Sequence, residues 1–273
     1  MMTHGRLFPE GTDGPFSGVG AVIVLGLFAM IGLGCQSSPA RGPRHPDPWL
    51  GEQRALVLLL SWQDAAPTLS REQVTEDFFG SVGSLSAWFR EASQGRFTLT
   101  GEVLDWRQAS ARWADQDIKK PGVVVRLARE AFAEVLDIEA YDGTGNGRID
   151  HLFVVHSGRL SQDRIGPRAM FVPGLADRSV VIQSQGVGGV GQQLALGFYL
   201  HEAGHRWFDE GDQYGEHRRG DYGIGTWGLM GLGQWGPHAG IARDALFRRP
   251  VHPRAAVKAR LGWVEVQTVT ADT

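Results

Sequence analysis

An α+β domain is what this sequence predicts, and three observations carry the prediction. Continuous apolar runs short enough to be buried strands, such as Ala55–Leu60, are interspersed with segments whose apolar residues recur at helical spacing, such as Val124, Leu127, Ala131 and Val135. The composition is globular, 42% hydrophobic and 21% charged over 273 residues, enough for one large domain or two small ones. The net charge of -3 gives no nucleic-acid signal. A single cysteine excludes an internal disulfide, and 38 glycines imply many loops.

The chain opens with a leader. Val19–Leu33 is apolar throughout, too short for a comfortable membrane span and right for the core of a signal peptide. Gly34 and Cys35 follow at once, so the only cysteine stands where a bacterial lipoprotein signal is cut and lipidated. The segment resembles such a lipobox, with Gly32 where Leu is usual. Residues 1–35 are therefore expected to be a lipoprotein-type signal peptide. Residues 36–52, rich in Pro, Ser and Arg, are expected to be a linker, and residues 53–273 the body. This places the body outside the cytoplasm, either anchored in the envelope membrane through Cys35 or secreted.

Within the body, Ala55–Leu60 reads as a buried strand. Leu69–Phe79 has helical character, and Val82, Leu85, Phe89 and Ala92 form a helical stripe ended by Gly95. Phe97 and Leu99 alternate with Thr98 and Thr100, a strand with one wet face. Pro121 suits the start of the helix whose stripe ends at Val135. Leu152–Val155 and Val180–Ile182 are further strands. Gly186–Gly191 is a glycine-rich loop, read as a cleft edge because no Lys-Ser/Thr follows to make it a phosphate loop. A helix from about Gln192 to Phe208 then carries Leu200-His201-Glu202-Ala203-Gly204-His205.

His201, Glu202 and His205 spell HExxH. Positions i and i+4 share one helix face, so two imidazoles can grip one metal ion while the neighbouring Glu202 holds a water against it. A catalytic zinc site needs a third protein ligand and one open position. Between His217 and Val264 there is no Glu, which argues against a distant glutamate ligand. A near ligand remains. Gly211 can turn the chain off the helix end and return Asp212 to the metal, with Asp209, Glu210, Glu216 and His217 as rivals. Tyr214 and Tyr222 are nearby candidates to stabilise an oxyanion. His151, His156 and His238 read as structural, and the basic run Arg243–Arg260 as the solvated face of terminal helices.

HEAGHRWFDEGDQY, followed by WGLMGLGQWG and KARLGW, resembles the catalytic domain of the immune inhibitor A family of secreted bacterial zinc metallopeptidases. RALVLLLSWQD, SVGSLSAWFREASQGRFTLTGEV and YDGTGNGRIDHLFVVHSG extend the likeness upstream, in order, over about residues 53 to 266. The resemblance implies a metzincin-like zincin fold, a twisted mixed sheet over the active-site helix, with Met230 in a Met turn beneath the metal. The chain departs from the family in having Phe208 where a glycine is usual and Asp212 eleven residues beyond His201, one more than usual.

Asp142, Thr144, Asn146, Arg148 and Asp150 follow the spacing of a calcium loop, with Gly147 at the turn but no closing glutamate. An Asx-rich turn is the other reading. The expected function is a monomeric zinc endopeptidase acting on a peptide or protein substrate, with Zn2+ on His201, His205 and Asp212, Glu202 as base, and Ca2+ as a second candidate ion. A catalytically inactive envelope lipoprotein using the fold as a binding module is the alternative.

Overall fold

The structure is a computed structural model, and it describes residues 47, 49–116, 122–158, 168–170, 175–183, 194–215, 223–236 and 249–267. The chain divides into two units, Met1–Ala40 and Arg41–Thr273, and all described residues belong to the second. The leader, Cys35, Pro121, the loop 186–191, Glu216, His217, Tyr222 and His238 lie outside them. Among the described residues no helix is long and apolar enough to cross a membrane.

The domain is mixed α/β. Five strands, β1 (Gly51–Ser61), β2 (Phe97–Gln108), β3 (Ile149–His156), β4 (Arg168–Met170) and β5 (Ala176–Gln183), form one sheet in the order β2-β1-β3-β5-β4. β1 pairs in parallel with both β2 and β3, β3 pairs in parallel with β5, and β4 is an antiparallel edge. Parallel strands covered on both faces read as unbroken apolar runs. In β1, Ala55, Val57 and Leu59 enter one core while Leu56, Leu58 and Leu60 enter the other. β2 approaches β1 so closely that a Cβ on Gly101 would lie 2.0 Å from the Ala55 carbonyl oxygen.

The helices are α1 (Arg71–Phe79), α2 (Leu85–Ala92), α3 (Gly122–Phe132), α4 (Leu196–Trp207) and α5 (Ala255–Arg260). α3 covers the Leu56 face; α1, α2 and α4 cover the other, where Val257 of α5 also packs. Ser70 and Gln73 form a reciprocal capping box at the start of α1.

Three sequence expectations are corrected. The packed body begins before residue 53: β1 starts at Gly51, and Trp49 is buried, its carbonyl accepting from Trp263 Nε1 at 2.9 Å. The prolines around Trp49 masked it. Val82 lies outside α2 and is 79% exposed, because the Ser84 side chain accepts from Ala87 N–H and starts the helix there. Val135 is likewise exposed, because α3 ends at Phe132.

Candidate metal centre

The centre is built on α4, which has no side-chain cap of its own because Ala195 occupies the N-cap. Asp77 of α1 stands in from across the core, accepting from Leu194 N–H at 2.9 Å. This sets a buried carboxylate beside the positive end of the helix dipole. Sequence reasoning missed Asp77, since nothing local links α1 to a residue 117 positions away.

Further along α4, His201 and His205 share one face, their ring centroids 5.1 Å apart. His201 Nδ1 lies 3.1 Å from the Leu229 carbonyl, and His205 Nδ1 lies 2.9 Å from the Glu210 carbonyl. A carbonyl only accepts, so each Nδ1 is the donor in these contacts, which would leave Nε2 to face a metal in the neutral imidazole. Such backbone partners fix the tautomer and orientation that a metal ligand needs.

Both Nε2 atoms converge on Asp212. Its Oδ1 lies 3.1 Å from His201 Nε2 and 3.4 Å from His205 Nε2. A tetrahedral centre with bonds of about 2.05 Å has ligand-to-ligand edges of about 3.3 Å, which matches these two His–Asp separations, and all three ligand atoms lie within 4.8 Å of one another. Among the described residues this trio is the one group of three or more His, Cys, Asp or Glu side chains able to hold a metal ion. Its polarity is graded: His201 is buried, His205 is partly open, and the Asp212 side chain is 46% exposed. Asp212, chosen by spacing, lies beside both histidines in this group.

The turn that returns Asp212 is not made by Gly211, whose φ is not positive. Asp209 makes it, at φ 47, a conformation Asp tolerates better than most residues. The reversal lets Glu210 N–H reach back to the Gly204 carbonyl at 3.4 Å. Of the rival ligands, Asp209 is exposed, and Glu210 is engaged by Arg254, Arg260 and Gln213. Phe208, standing where a glycine was expected, is a core residue, packed between Trp49 and Trp263.

Met230 lies directly under the helix. A Cβ on Gly204 would sit 2.4 Å from Met230 Sδ, so only a glycine there lets the Met230 side chain approach the helix this closely. Gln213 N–H donates to the Met230 carbonyl at 2.8 Å, tying the Asp212 segment to the same turn. Tyr214 stacks on His201 at 5.9 Å and 21°. Its phenol is pushed up to about 12 by burial, by its hydrogen bond to Asp212, and by the charges of Asp212 and Glu202.

The other candidates divide. His151 and His156 are buried in aromatic surroundings, away from the centre, as expected of structural histidines. The Asp142 carboxylate accepts from the N–H groups of Gly145, Asn146 and Gly147. Asp150 accepts from Gly143 and Thr144, while Arg148 and Asn146 turn to Asp177. A cleft of about 650 Å³ opens beside α4, lined by Trp88, Leu196, Leu200, Trp227 and Arg249–Ala255.

No family model matches the chain, and no curated protein matches it either. Fold and site together define a mixed α/β domain in which two histidines of one helix and an aspartate of the loop after it form a group that could hold a metal ion.

Proposed function

We propose that the protein is a zinc-dependent endopeptidase with a metzincin-like fold, akin to the immune inhibitor A family, exported and held at the cell envelope through Cys35. The observation that carries this reading is the convergence of two oriented Nε2 atoms and one carboxylate oxygen, with Glu202 adjacent and not among the ligands. A two-nitrogen, one-oxygen set leaving a position open suits catalytic zinc. Met230 seated against Gly204 supports it further.

Zinc at this site would supply a Lewis acid and a water of lowered pKa. The chain supplies the proton transfer: Glu202 takes a proton from the attacking water and delivers it to the departing amine. Tyr214, stacked on His201, would donate to a developing oxyanion once its hydroxyl leaves Asp212. The test is hydrolysis of a broad peptide library by the purified protein. Cleavage that a chelator abolishes and Zn2+ restores supports the reading; no cleavage by zinc-loaded, folded protein leaves the binding-module alternative.

A further inference from the structure

Resting on that metal-centre reading, a physical difficulty remains. Asp212 lies on a half-exposed loop, and the neighbouring Gly211 has no atom within 4 Å of where a side chain would begin. A ligand on a loose loop must be ordered by the metal itself, at a cost of about 1–2 kcal/mol for each residue fixed. Two of its neighbours remove that freedom. Gln213 is tied to the Met230 carbonyl, and Glu210 is tied from a different part of the chain.

The Glu210 side chain is 8% exposed, and its carboxylate meets three donors. Arg254, at the N-cap of α5, and Gln213 both donate to Oε2, and Arg260, the last residue of α5, stands 3.7 Å from Oε1. Arg260 also donates to the Phe208 carbonyl at the end of α4. The backbone of Glu210 serves the metal centre directly, since its carbonyl accepts a hydrogen bond from His205 Nδ1–H. One residue thus has its side chain locked by α5 and its main chain holding a ligand. A charge this shielded is costly unless its partners are fixed, and fixed partners confer a unique geometry.

We infer that Glu210, Arg254 and Arg260 form a positioning cluster through which α5 sets the orientation of His205 and the path of Asp212, and so sets the affinity of the centre for its metal. None of the three is a metal ligand or a catalytic residue. Disturbing a partner of a metal-bound histidine costs about 10- to 100-fold in metal affinity.

The experiment uses the full chain, stripped of metal and titrated with Zn2+ against a chromophoric chelator. Glu210→Gln and Arg254→Gln should each weaken zinc binding about tenfold, with metal-free melting close to wild type, and Arg254→Lys should recover much of the loss. The double variant Glu210→Gln/Arg254→Gln should bind no worse than the weaker single variant, because both remove one device. Should Glu210→Gln not fold, Arg254→Gln decides, since that side chain is 45% exposed. Zinc affinities within about twofold of wild type in the variants, or fully additive losses in the double, would overturn the inference while leaving the metal centre intact. A wild-type chain that binds no zinc would overturn the reading beneath it.

Discussion

Gly204→Ala adds one methyl group to α4, and the structure fixes where it goes. The new Cβ would stand 2.4 Å from Met230 Sδ, 3.3 Å from Met230 Cε and 3.3 Å from Phe208 Cδ2. Met230 and Phe208 are both buried, so neither has solvent to retreat into. Two effects of opposite sign compete. Alanine favours the helix over glycine by about 1 kcal/mol. Overpacking a filled core costs about 1–3 kcal/mol. The net expectation is a loss of about 1 kcal/mol, or about 2–4 °C in melting temperature for a domain of this size. Zinc should suffer more than stability, because Met230 follows Leu229, whose carbonyl orients His201. An affinity about tenfold weaker is expected. Denaturant unfolding and zinc competition on Gly204→Ala, Met230→Ala and the double variant check both effects. The double variant should be more stable than the sum of the singles predicts, since removing the thioether frees the space. A Gly204→Ala protein stabilised by the full helical gain, with zinc affinity unchanged, would refute the packing argument.

Three further outcomes follow from the same contacts. Asp212→Ala should weaken zinc binding by more than about 100-fold, beyond the cost of disturbing an outer partner, as read by metal analysis and competition titration. His156 is held neutral by burial, its pKa lowered to about 3 from 6.5, so the unfolded chain binds a proton there that the folded chain refuses. Stability should therefore fall by up to about 1.4 kcal/mol per pH unit as pH drops from about 6.5 toward about 3. His156→Gln, which keeps an acceptor for Trp62 Nε1 and Gly158 N–H, should flatten that acid limb in unfolding curves. Asp142→Ala should cost about 2–3 kcal/mol, because a charged acceptor of three N–H groups is lost. Melting with and without Ca2+ separates an ion site from a turn there: the calcium reading expects a rise that Asp150→Ala abolishes, and an unchanged curve leaves the turn alone.

What the sequence revealed, and what it hid, divides by range. The β1 strand was legible because burial on both faces makes its residues uniformly apolar. The histidine pair of α4 was legible because i, i+4 spacing is a local property, and Asp212 because it lies within one short turn of His205. Helix ends were less so. The Ser84 cap outweighed the apolar stripe that seemed to include Val82, and Asp209 took the left-handed position that glycine preference suggested for Gly211. Contacts between distant segments left no local trace. Asp77 at the start of α4, Leu229 on His201, and the arginines of α5 on Glu210 depend on the tertiary path. Arg254 and Arg260 fell within a basic run read as a solvated face, although both engage Glu210 at the edge of the centre.

The central claim is that this helix holds a metal with His201 and His205 while Glu202 works on the proton and not on the metal. Glu202→Gln tests it most directly, because the substitution keeps size and shape and removes only the base. Zinc content and peptide hydrolysis would be measured on the same preparations of wild type and variant. The account predicts wild-type zinc occupancy in the variant with hydrolysis reduced by a factor of about 100 or more, the scale of a lost general base. Undiminished hydrolysis by Glu202→Gln, or loss of its zinc, would contradict it.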